Sequence, residues 1–283
     1  MGRRTPGSGL GEGGQMRKHR LALIGLIIVL VMTTVAALSP YVAPYDPSEL
    51  DLAGNLSGPT LSHPLGQDKL GRDILSRILY GAQVSVKVGT VVVGISLSVG
   101  LLIGSLSGYA GGWIDEIIMR IIDILQAFPG ILLAIAMTAV LGPSLNHVIF
   151  ALCLTGWVGY ARLIRGQILT VREREYVQAA RALGAGPLRI LMRHILPNTL
   201  APIIVEATFG CASAILAEAG LSFLGLGTQP PTPSWGSMLN EGSHFMLVAP
   251  HLTIFPGIAI MLVVMGFNFL GDGLRDWMDV QRN

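Results

Sequence analysis

EYVQAARALGAGPLRILMRHILPN, residues 175–198, is a polar, arginine-rich stretch inside a chain that is otherwise strongly apolar. Its pattern predicts a helix, a Gly-x-Gly-Pro turn and a second helix. Gly184 suits the C-terminal cap of the first helix, and Pro187 suits the first turn of the second. Pro197 marks the return to apolar sequence. The stretch is therefore predicted to form a helical hairpin between two apolar segments.

Both predicted helices of the hairpin are amphipathic. On the first, apolar residues recur at i, i+3, i+4 and i+7, namely Tyr176, Ala179, Ala180 and Leu183. The second places its apolar residues on one side, namely Leu188, Leu191, Met192 and Ile195. The paired alanines make part of the first face flat, which suits close docking against another protein. The arginines alone would favour the alternative of a loop lying on anionic lipid.

The rest of the sequence indicates a membrane protein. Hydrophobic residues make up 51% of the 283 residues and charged residues 13%, whereas about 25% are charged in ordinary globular proteins. The mean hydropathy is +0.61, and a bilayer crossing needs about 20 apolar residues. Charge-poor runs of that length predict an all-α membrane protein with six transmembrane helices, near residues 21–45, 88–114, 118–141, 147–168, 198–225 and 252–270.

The first apolar run follows several basic residues, as it would in a signal peptide. The run is long for that role and ends in Ser39-Pro40 without a clear cleavage site, so we expect a membrane anchor at residues 21–45. The remaining divisions are a disordered tail at 1–20, an external segment at 46–83 with a short amphipathic helix at 71–81, a core at 84–273 that includes the hairpin at 172–197, and a C-terminal tail at 274–283.

The distribution of lysine and arginine predicts the orientation of the chain in the membrane. Five lie in the N-terminal tail and seven between residues 162 and 193, from the end of the fourth span to the fifth, whereas the connections 141–147 and 226–251 have none. An even number of spans then places both termini and the hairpin in the cytoplasm. The first external segment departs from this trend, with Lys69, Arg72 and Arg77, although acidic residues accompany them.

The sequence carries no motif for ATP binding or catalysis. A phosphate-binding loop needs G-x-x-x-x-G-K-[ST], and none of Lys18, Lys69 and Lys87 lies in such a loop. Neither a nucleophile–base set nor a metal-ligand spacing is present, and both cysteines, Cys153 and Cys211, lie in apolar surroundings. We therefore expect no enzymatic activity, no cofactor or metal in this chain and no nucleic-acid partner.

Three carboxylates lie in or near the predicted spans, where ionisable residues are candidates for functional sites. Asp123 follows Arg120 by three residues, so an ion pair on one helical face is expected. Glu206 and Glu218 lie in the fifth span, where either could line a polar passage or hydrogen-bond across helices. We expect Glu218 to support the outer end. These carboxylates leave open a proton-coupled secondary transporter, which would need no ATPase partner.

The segment QAARALG, followed by ILP, resembles the EAA loop in the membrane subunits of bacterial ABC importers. The matching residues are Gln178, Ala179, Ala180, Gly184, Leu196 and Pro197, with Gln178 where the family has glutamate. The resemblance implies that the hairpin is a coupling helix that sits in a cleft of an ATP-hydrolysing subunit. Glu175 and Arg181 flank the matching residues and complete the predicted coupling site.

Four longer stretches, residues 63–86, 108–129, 217–239 and 267–279, resemble the C-type permease subunits of peptide and nickel importers. This resemblance implies the type I importer permease fold in the bacterial cytoplasmic (inner) membrane. It also implies a B-type sister permease, two ATP-binding subunits that hold ATP and magnesium, and an extracytoplasmic substrate-binding protein. The implied solutes are dipeptides, oligopeptides, glutathione-like peptides or nickel complexes.

The predicted external loop 226–251 is expected to be stiff. It contains Pro230, Pro231 and Pro233, whose φ angles are fixed by their rings. Trp235 follows and is suited to the membrane interface, where it could be an anchor alone. Together with residues 46–83, this loop is expected to form a platform that receives the binding protein.

Overall fold

The computed structural model describes the backbone of residues 12–280 and the side chains of residues 20–278. This part of the chain is helical apart from its loops and contains no β-strand. The helices are α1 (Glu12–Val42), α2 (Ile74–Ala110), α3 (Gly112–Gln126), α4 (Gly130–Leu141), α5 (Leu145–Arg172), α6 (Glu175–Ala182), α7 (Pro187–Arg189), α8 (Leu196–Phe223), α9 (Trp235–Ser243) and α10 (His251–Val280). A π-helix, Ile190–Ile195, joins α7 to α8, and a single 3₁₀ turn spans Leu52–Gly54.

Within the described residues, five helical segments are long and apolar enough to cross a membrane. They are α1, α2, α5, α10 and the continuous segment Pro187–Phe223. The pair α3 and α4 provides a sixth crossing when it is counted as one span, although its two helices are bent by 76°. The predicted all-α fold is confirmed, and the predicted number of crossings is reached once this broken pair is included.

The break between α3 and α4 lies at Pro129. Proline has no N–H to donate and disfavours helical backbone in the residue before it. Pro129 has φ −59° and ψ 117°, an extended conformation that separates the two helices. The single helix predicted at 118–141 is therefore wrong, because two shorter helices take its place.

α2 begins earlier than predicted. The Asp73 carboxylate caps it by accepting hydrogen bonds from the Ser76 N–H at 2.8 Å and the Ser76 hydroxyl at 2.7 Å. The helix then continues to Ala110, and Gly111 ends it with φ +65°. The separate amphipathic helix predicted at 71–81 is wrong, since most of its residues form the first turns of α2. The non-helical part of the predicted external segment ends at residue 73.

α1 also extends beyond its predicted limits and packs along α10. Residues 12–20, which were predicted to be disordered, are helical and continue the first span, whereas residues 1–11 lie outside the described part of the chain. The two helices approach closely at Gly25, where a Cβ atom would lie 2.5 Å from the Leu270 amide nitrogen. Close approach at small residues is how helices associate in lipid.

The centre of the bundle is the pair α2 and α5, with α8 packed against both. Gly100, Gly104 and Gly108 recur every fourth residue on the face of α2 that meets α5. A Cβ atom at Gly104 would lie 2.5 Å from the Ala161 carbonyl oxygen. The backbones of α2 and α5 are therefore in direct contact, and this pair positions both the hairpin at one end and the polar residues at mid-span.

Candidate functional site

The hairpin turn closes with a Schellman motif, the hydrogen-bond pattern that commonly ends a helix at glycine. Gly184 has φ +79°, and its N–H donates to the Arg181 carbonyl at 3.0 Å. The Ala185 N–H donates to the Ala180 carbonyl at 3.1 Å. Pro187 follows at the start of α7. The predicted glycine cap and the predicted proline at the first turn are confirmed.

One side of the hairpin is buried against α5. Val177, Ile190 and Ile195 are fully buried and pack in one apolar cluster with Ile164 and Ile168 of α5. Two of them, Ile190 and Ile195, lie on the same side because a π-helix brings together residues five apart. Of the apolar face predicted for an ordinary α-helix, Leu191 and Ile195 pack in this cluster, whereas Leu188 and Met192 are exposed and the buried Ile190 was not predicted.

The other side of the hairpin presents apolar side chains to solvent. They are Tyr176, Ala179, Leu183, Leu188 and Met192, and we call them the hairpin patch. Leu183 lies at the tip with 88% of its surface exposed. A single exposed leucine is ordinary, but apolar residues grouped on both arms of a short hairpin indicate an interaction surface.

The remaining residues of the predicted coupling site surround this patch. Glu175, Gln178 and Arg181 are exposed on α6, Ala180 is half-buried beneath the turn, and Pro197 is exposed in the first turn of α8. The Gln178 side-chain amide donates to the Glu173 carboxylate at 3.4 Å. The structure thus brings all seven predicted residues, including Ala179 and Gly184, onto one hairpin at one end of the bundle.

Ion pairs fix the end of α5 from which the hairpin emerges. Arg165 makes a bidentate pair with Asp115 of α3, with N–O distances of 2.5 and 2.6 Å. Asp115 also accepts a hydrogen bond from the Ser107 hydroxyl. Arg172 donates to the Gly108 carbonyl at 3.1 Å. A bidentate ion pair fixes the relative orientation of its two side chains. The end of α5, where the hairpin begins, is therefore held against the end of α2 and the start of α3.

Asp123 does not form the predicted ion pair with Arg120. Its carboxylate accepts from Arg162 Nη2 at 2.6 Å instead, because α3 packs against α5 and brings that arginine within reach. Both side chains are largely exposed, at 60% and 45% of their surfaces. Asp123 therefore links α3 to α5 at the surface.

Glu206 and Glu218 lie on the same helix in different surroundings. Glu218 is buried and accepts hydrogen bonds from the Ser222 hydroxyl at 2.6 Å and the Thr228 hydroxyl at 3.4 Å. It ties the end of α8 to the following loop, which agrees with the expected structural role. Glu206 lines two cavities, of about 300 and 280 Å³. Of the two carboxylates, Glu206 is the candidate for a polar passage.

At the opposite end of α8 from the hairpin, a buried ion cluster joins the segment 43–73 to α9. Asp68 accepts from Arg72 at 2.6 Å and from Arg77 at 2.7 Å, and Glu241 of α9 accepts from Arg72 at 2.7 Å. These four side chains are between 3% and 16% exposed. The sequence analysis did not predict this cluster, although Arg72 and Arg77 stood out there as basic residues in a segment predicted to be external. Because both arginines are paired with acidic side chains, they do not argue against an external position.

Trp235 is not an anchor in the membrane interface. It is 3% exposed, and its indole N–H donates to the Ile78 carbonyl of α2 at 3.0 Å. The ring fits over Gly81, where a Cβ atom would lie 2.7 Å from Trp235 Cδ1. The prediction of an interfacial ring is wrong because the polar N–H finds its partner inside the protein. Trp235 holds α9 to the start of α2.

Two family models match the chain. The model described as the inner membrane component of binding-protein-dependent transport systems matches residues 100–281. The model described as the N-terminal transmembrane domain of oligopeptide transport permease C matches residues 14–59. The first match includes the hairpin and the cavity-lining helices α5, α8 and α10, and the second includes most of α1.

Two related permeases match almost the whole chain. The chain is 47% identical over 265 residues to the dipeptide transport system permease protein DppC of Alkalihalophilus pseudofirmus. This alignment covers 94% of the chain and 87% of the relative. The chain is also 47% identical over 266 residues to the glutathione transport system permease protein GsiD of Escherichia coli, which covers 94% and 88%.

A solved structure shares the arrangement of the helices. The MetNI methionine ABC transporter in an inward facing conformation matches with a TM-score of 0.60 at 19% sequence identity, over 71% of this chain and 95% of that chain. At this identity the likeness concerns the fold alone. It confirms the predicted type I importer permease fold.

Proposed function

This chain belongs to the family of binding-protein-dependent transport system inner membrane components, and on that premise we propose that it is the C-type permease subunit of an ATP-driven importer of dipeptides or oligopeptides. The observation that carries the proposal is the 47% identity to permeases named for dipeptide and for glutathione transport. Glutathione is itself a short peptide. These relatives do not favour nickel as the solute, and membership of the family argues against a proton-coupled secondary transporter.

The hairpin patch is the proposed docking surface for an ATP-binding subunit. Its apolar side chains are exposed, while the other side of the hairpin is fixed to α5 through Val177, Ile190 and Ile195. Movement of a partner bound to the patch would therefore reach the bundle. The proposed coupling residues are Glu175, Gln178, Ala179, Ala180, Arg181, Gly184 and Pro197. ATP and magnesium would be held by two partner subunits, since this sequence has no phosphate-binding loop.

The passage for the solute is proposed to form between this subunit and a B-type sister, because six helices enclose too little space for a peptide. Glu206 would face that passage. In the proposed cycle, ATP-driven closure of the ATPase subunits pushes on the hairpins of both permeases. The helices then open toward the outside, receive solute from the binding protein and return after hydrolysis.

The end that carries the hairpin is proposed to be cytoplasmic, together with both termini. Seven arginines between residues 162 and 193, at the end of α5 and in the hairpin, support this orientation. The opposite end, formed by residues 43–73 and 224–250, would then face the outside. We propose that this end is the platform for the binding protein, and its buried ion cluster makes it a rigid one.

Uptake into proteoliposomes tests the proposed solute. The assay needs the complete transporter, namely both permeases, both ATPase subunits and the cognate binding protein. We expect labelled dialanine to accumulate only with ATP and binding protein, and unlabelled oligopeptides or glutathione to compete. Accumulation of a nickel complex with no uptake of dialanine would contradict the proposal.

Gly184→Val is expected to uncouple ATP hydrolysis from uptake. A Cβ atom at this position would meet nothing within 4 Å, so the cost is that of a left-handed backbone, about 1–2 kcal/mol. The turn should therefore open and move the hairpin patch. Uptake per ATP hydrolysed should fall about tenfold, as measured by parallel uptake and phosphate-release assays. Gly184→Asn is the control, since asparagine tolerates this conformation, and equal coupling in both variants would contradict the proposed role of the turn.

Single cysteines test the platform and the orientation together. Thr232 and Leu247 are exposed at the end opposite the hairpin. With Cys153 and Cys211 replaced, a cysteine at either position should react with an impermeant thiol reagent from outside the cell and crosslink to the binding protein. A cysteine at Glu173, which is exposed at the hairpin end outside the hairpin patch, is the control and should react only after the membrane is opened. Reaction of Leu247→Cys from the cytoplasmic side would reverse the orientation, and external reaction without a crosslink would refute the platform.

A further inference from the structure

A cavity of about 280 Å³ lies between α2, α5 and α8, near the middle of each helix. Hydroxyl groups and one carboxylate are the polar groups of its side-chain lining. They belong to Ser96, Thr155, Tyr160, Ser213 and Glu206, and we call this space the hydroxyl cavity. A polar cavity at this depth is out of place against lipid, because polar side chains in the membrane face the bundle interior or water.

Two of these hydroxyls are buried and have no hydrogen-bond partner among the described residues. Ser96 is 1% exposed and Tyr160 is 6% exposed, yet neither Ser96 Oγ nor Tyr160 Oη has an acceptor or donor within reach. A buried polar group without a partner costs free energy, so each one calls for an explanation. Both oxygens are packed against glycines, since a Cβ atom at Gly156 would lie 2.5 Å from Ser96 Oγ and one at Gly210 would lie 2.0 Å from Tyr160 Oη. They are therefore covered by protein and form part of the wall of the cavity.

The charge in this cavity is negative. Glu206 of α8 lines the cavity and is exposed in this subunit, and no ion pair or hydrogen bond within the described residues engages its carboxylate. Arg275 lines the adjoining cavity on the hairpin side but lies beyond ion-pair distance of Glu206. An ionised carboxylate in an apolar span is costly without a cation or water. The group that completes this site therefore carries positive charge and hydrogen-bond donors.

We propose that the hydroxyl cavity is the subsite that holds the ammonium group at the amino terminus of the peptide during its passage through the membrane. This inference rests on the proposed function in peptide import. Glu206 supplies the opposite charge and accepts hydrogen bonds from the ammonium group. Such charge-assisted hydrogen bonds are the stronger class. A metal ion fits less well, because the described residues contain no group of three metal-ligating side chains.

The charge of the cavity can be measured with thiol reagents. Ser213 lines the cavity two helical turns from Glu206, about 10 Å along the axis. In the complete transporter with Cys153→Ala and Cys211→Ala, Ser213→Cys should react about tenfold faster with a cationic methanethiosulfonate than with an anionic one, after correction for their reactivity with a free thiol. Adding Glu206→Gln should remove this preference.

Glu116→Gln is the matched control, because it removes an exposed carboxylate that lines neither cavity. It should leave the preference for the cationic reagent unchanged. Equal rates for the two reagents in the Ser213→Cys transporter would overturn the proposal, and they would indicate that a cation of the sister subunit neutralises Glu206. Reaction with neither reagent would overturn it as well, because the cavity would then be closed to water and solute.

A peptide tests the identity of the cation. Dialanine delivered by the binding protein should slow the reaction of Ser213→Cys in the presence of ATP, and acetate and methylamine at equal concentration should not. Glu206→Gln should reduce dialanine uptake about tenfold or more, as expected when a charged hydrogen bond is lost. Absence of dialanine uptake by the wild-type transporter would refute the proposed function. Normal uptake by Glu206→Gln in a transporter that imports dialanine would refute the subsite alone.

Discussion

Replacing Leu183 with aspartate is expected to abolish ATP-driven uptake, by at least about a hundredfold, while the subunit stays in the membrane at its normal level. The side chain is 88% exposed at the tip of the hairpin, so the change costs little packing within the chain. If the hairpin patch docks in an ATPase cleft, the new carboxylate becomes buried without a partner, which is strongly unfavourable. The ATPase subunits should then be lost when the permease is purified by an affinity tag.

Two further variants make the result specific. Leu247→Asp introduces the same charge at a side chain that is 101% exposed at the other end of the bundle, and it should retain the ATPase subunits. Leu183→Met keeps an apolar side chain of similar volume and should retain both ATPase and uptake. Normal recovery of the ATPase with Leu183→Asp would show that the hairpin patch is not the docking surface.

Asp68→Ala is expected to be among the most destabilising changes at the opposite end, with a loss of about 3–5 kcal/mol in the free energy of unfolding. Asp68 pairs with both Arg72 and Arg77, and removing it leaves two buried arginines to share Glu241. Thermal unfolding of the purified subunit in detergent should show the loss. Trp235 is buried at the same end and gives a fluorescence signal for it.

The exposed pair between Asp123 and Arg162 provides the comparison. Asp123→Ala should change the free energy of unfolding by no more than about 1 kcal/mol, because exposed ion pairs contribute little. Adding Arg77→Met to Asp68→Ala should restore part of the lost stability, since it removes one unpaired buried charge. Equal unfolding midpoints for Asp68→Ala and Asp123→Ala would contradict the structural role of the ion cluster.

Local chemistry made much of the hairpin predictable. A glycine that tolerates positive φ and a proline that suits a first helical turn fix the turn through residues close in sequence, and both occupy their expected places. The inward face was harder to predict, because residues 190–195 are π-helical and follow a different period. Val177 was missed for a different reason, since the apolar stripe chosen on α6 is largely the exposed one.

Contacts between residues far apart in sequence could not be predicted from local sequence patterns. Trp235 suited a membrane interface by residue type, but its partner lies 157 positions away in sequence. Asp123 suited a pair with Arg120 by spacing, but Arg162 of the facing helix reaches it. The hydroxyl cavity could not be predicted for the same reason, since Ser96, Tyr160 and Glu206 line one cavity only when three separate helices pack together.

The π-helix has a mechanical consequence. It leaves no loop between the hairpin and α8, so Pro187–Phe223 is one helical segment of 37 residues. At 1.5 Å per residue such a rod is about 55 Å long, and a tilt of one degree about one end displaces the other by about 1 Å. A flexible joint at this place would dissipate a push on the hairpin. If the hairpin is pushed as proposed, the continuous helical segment would transmit the push to Glu206, midway along it, and to Glu218 near its far end.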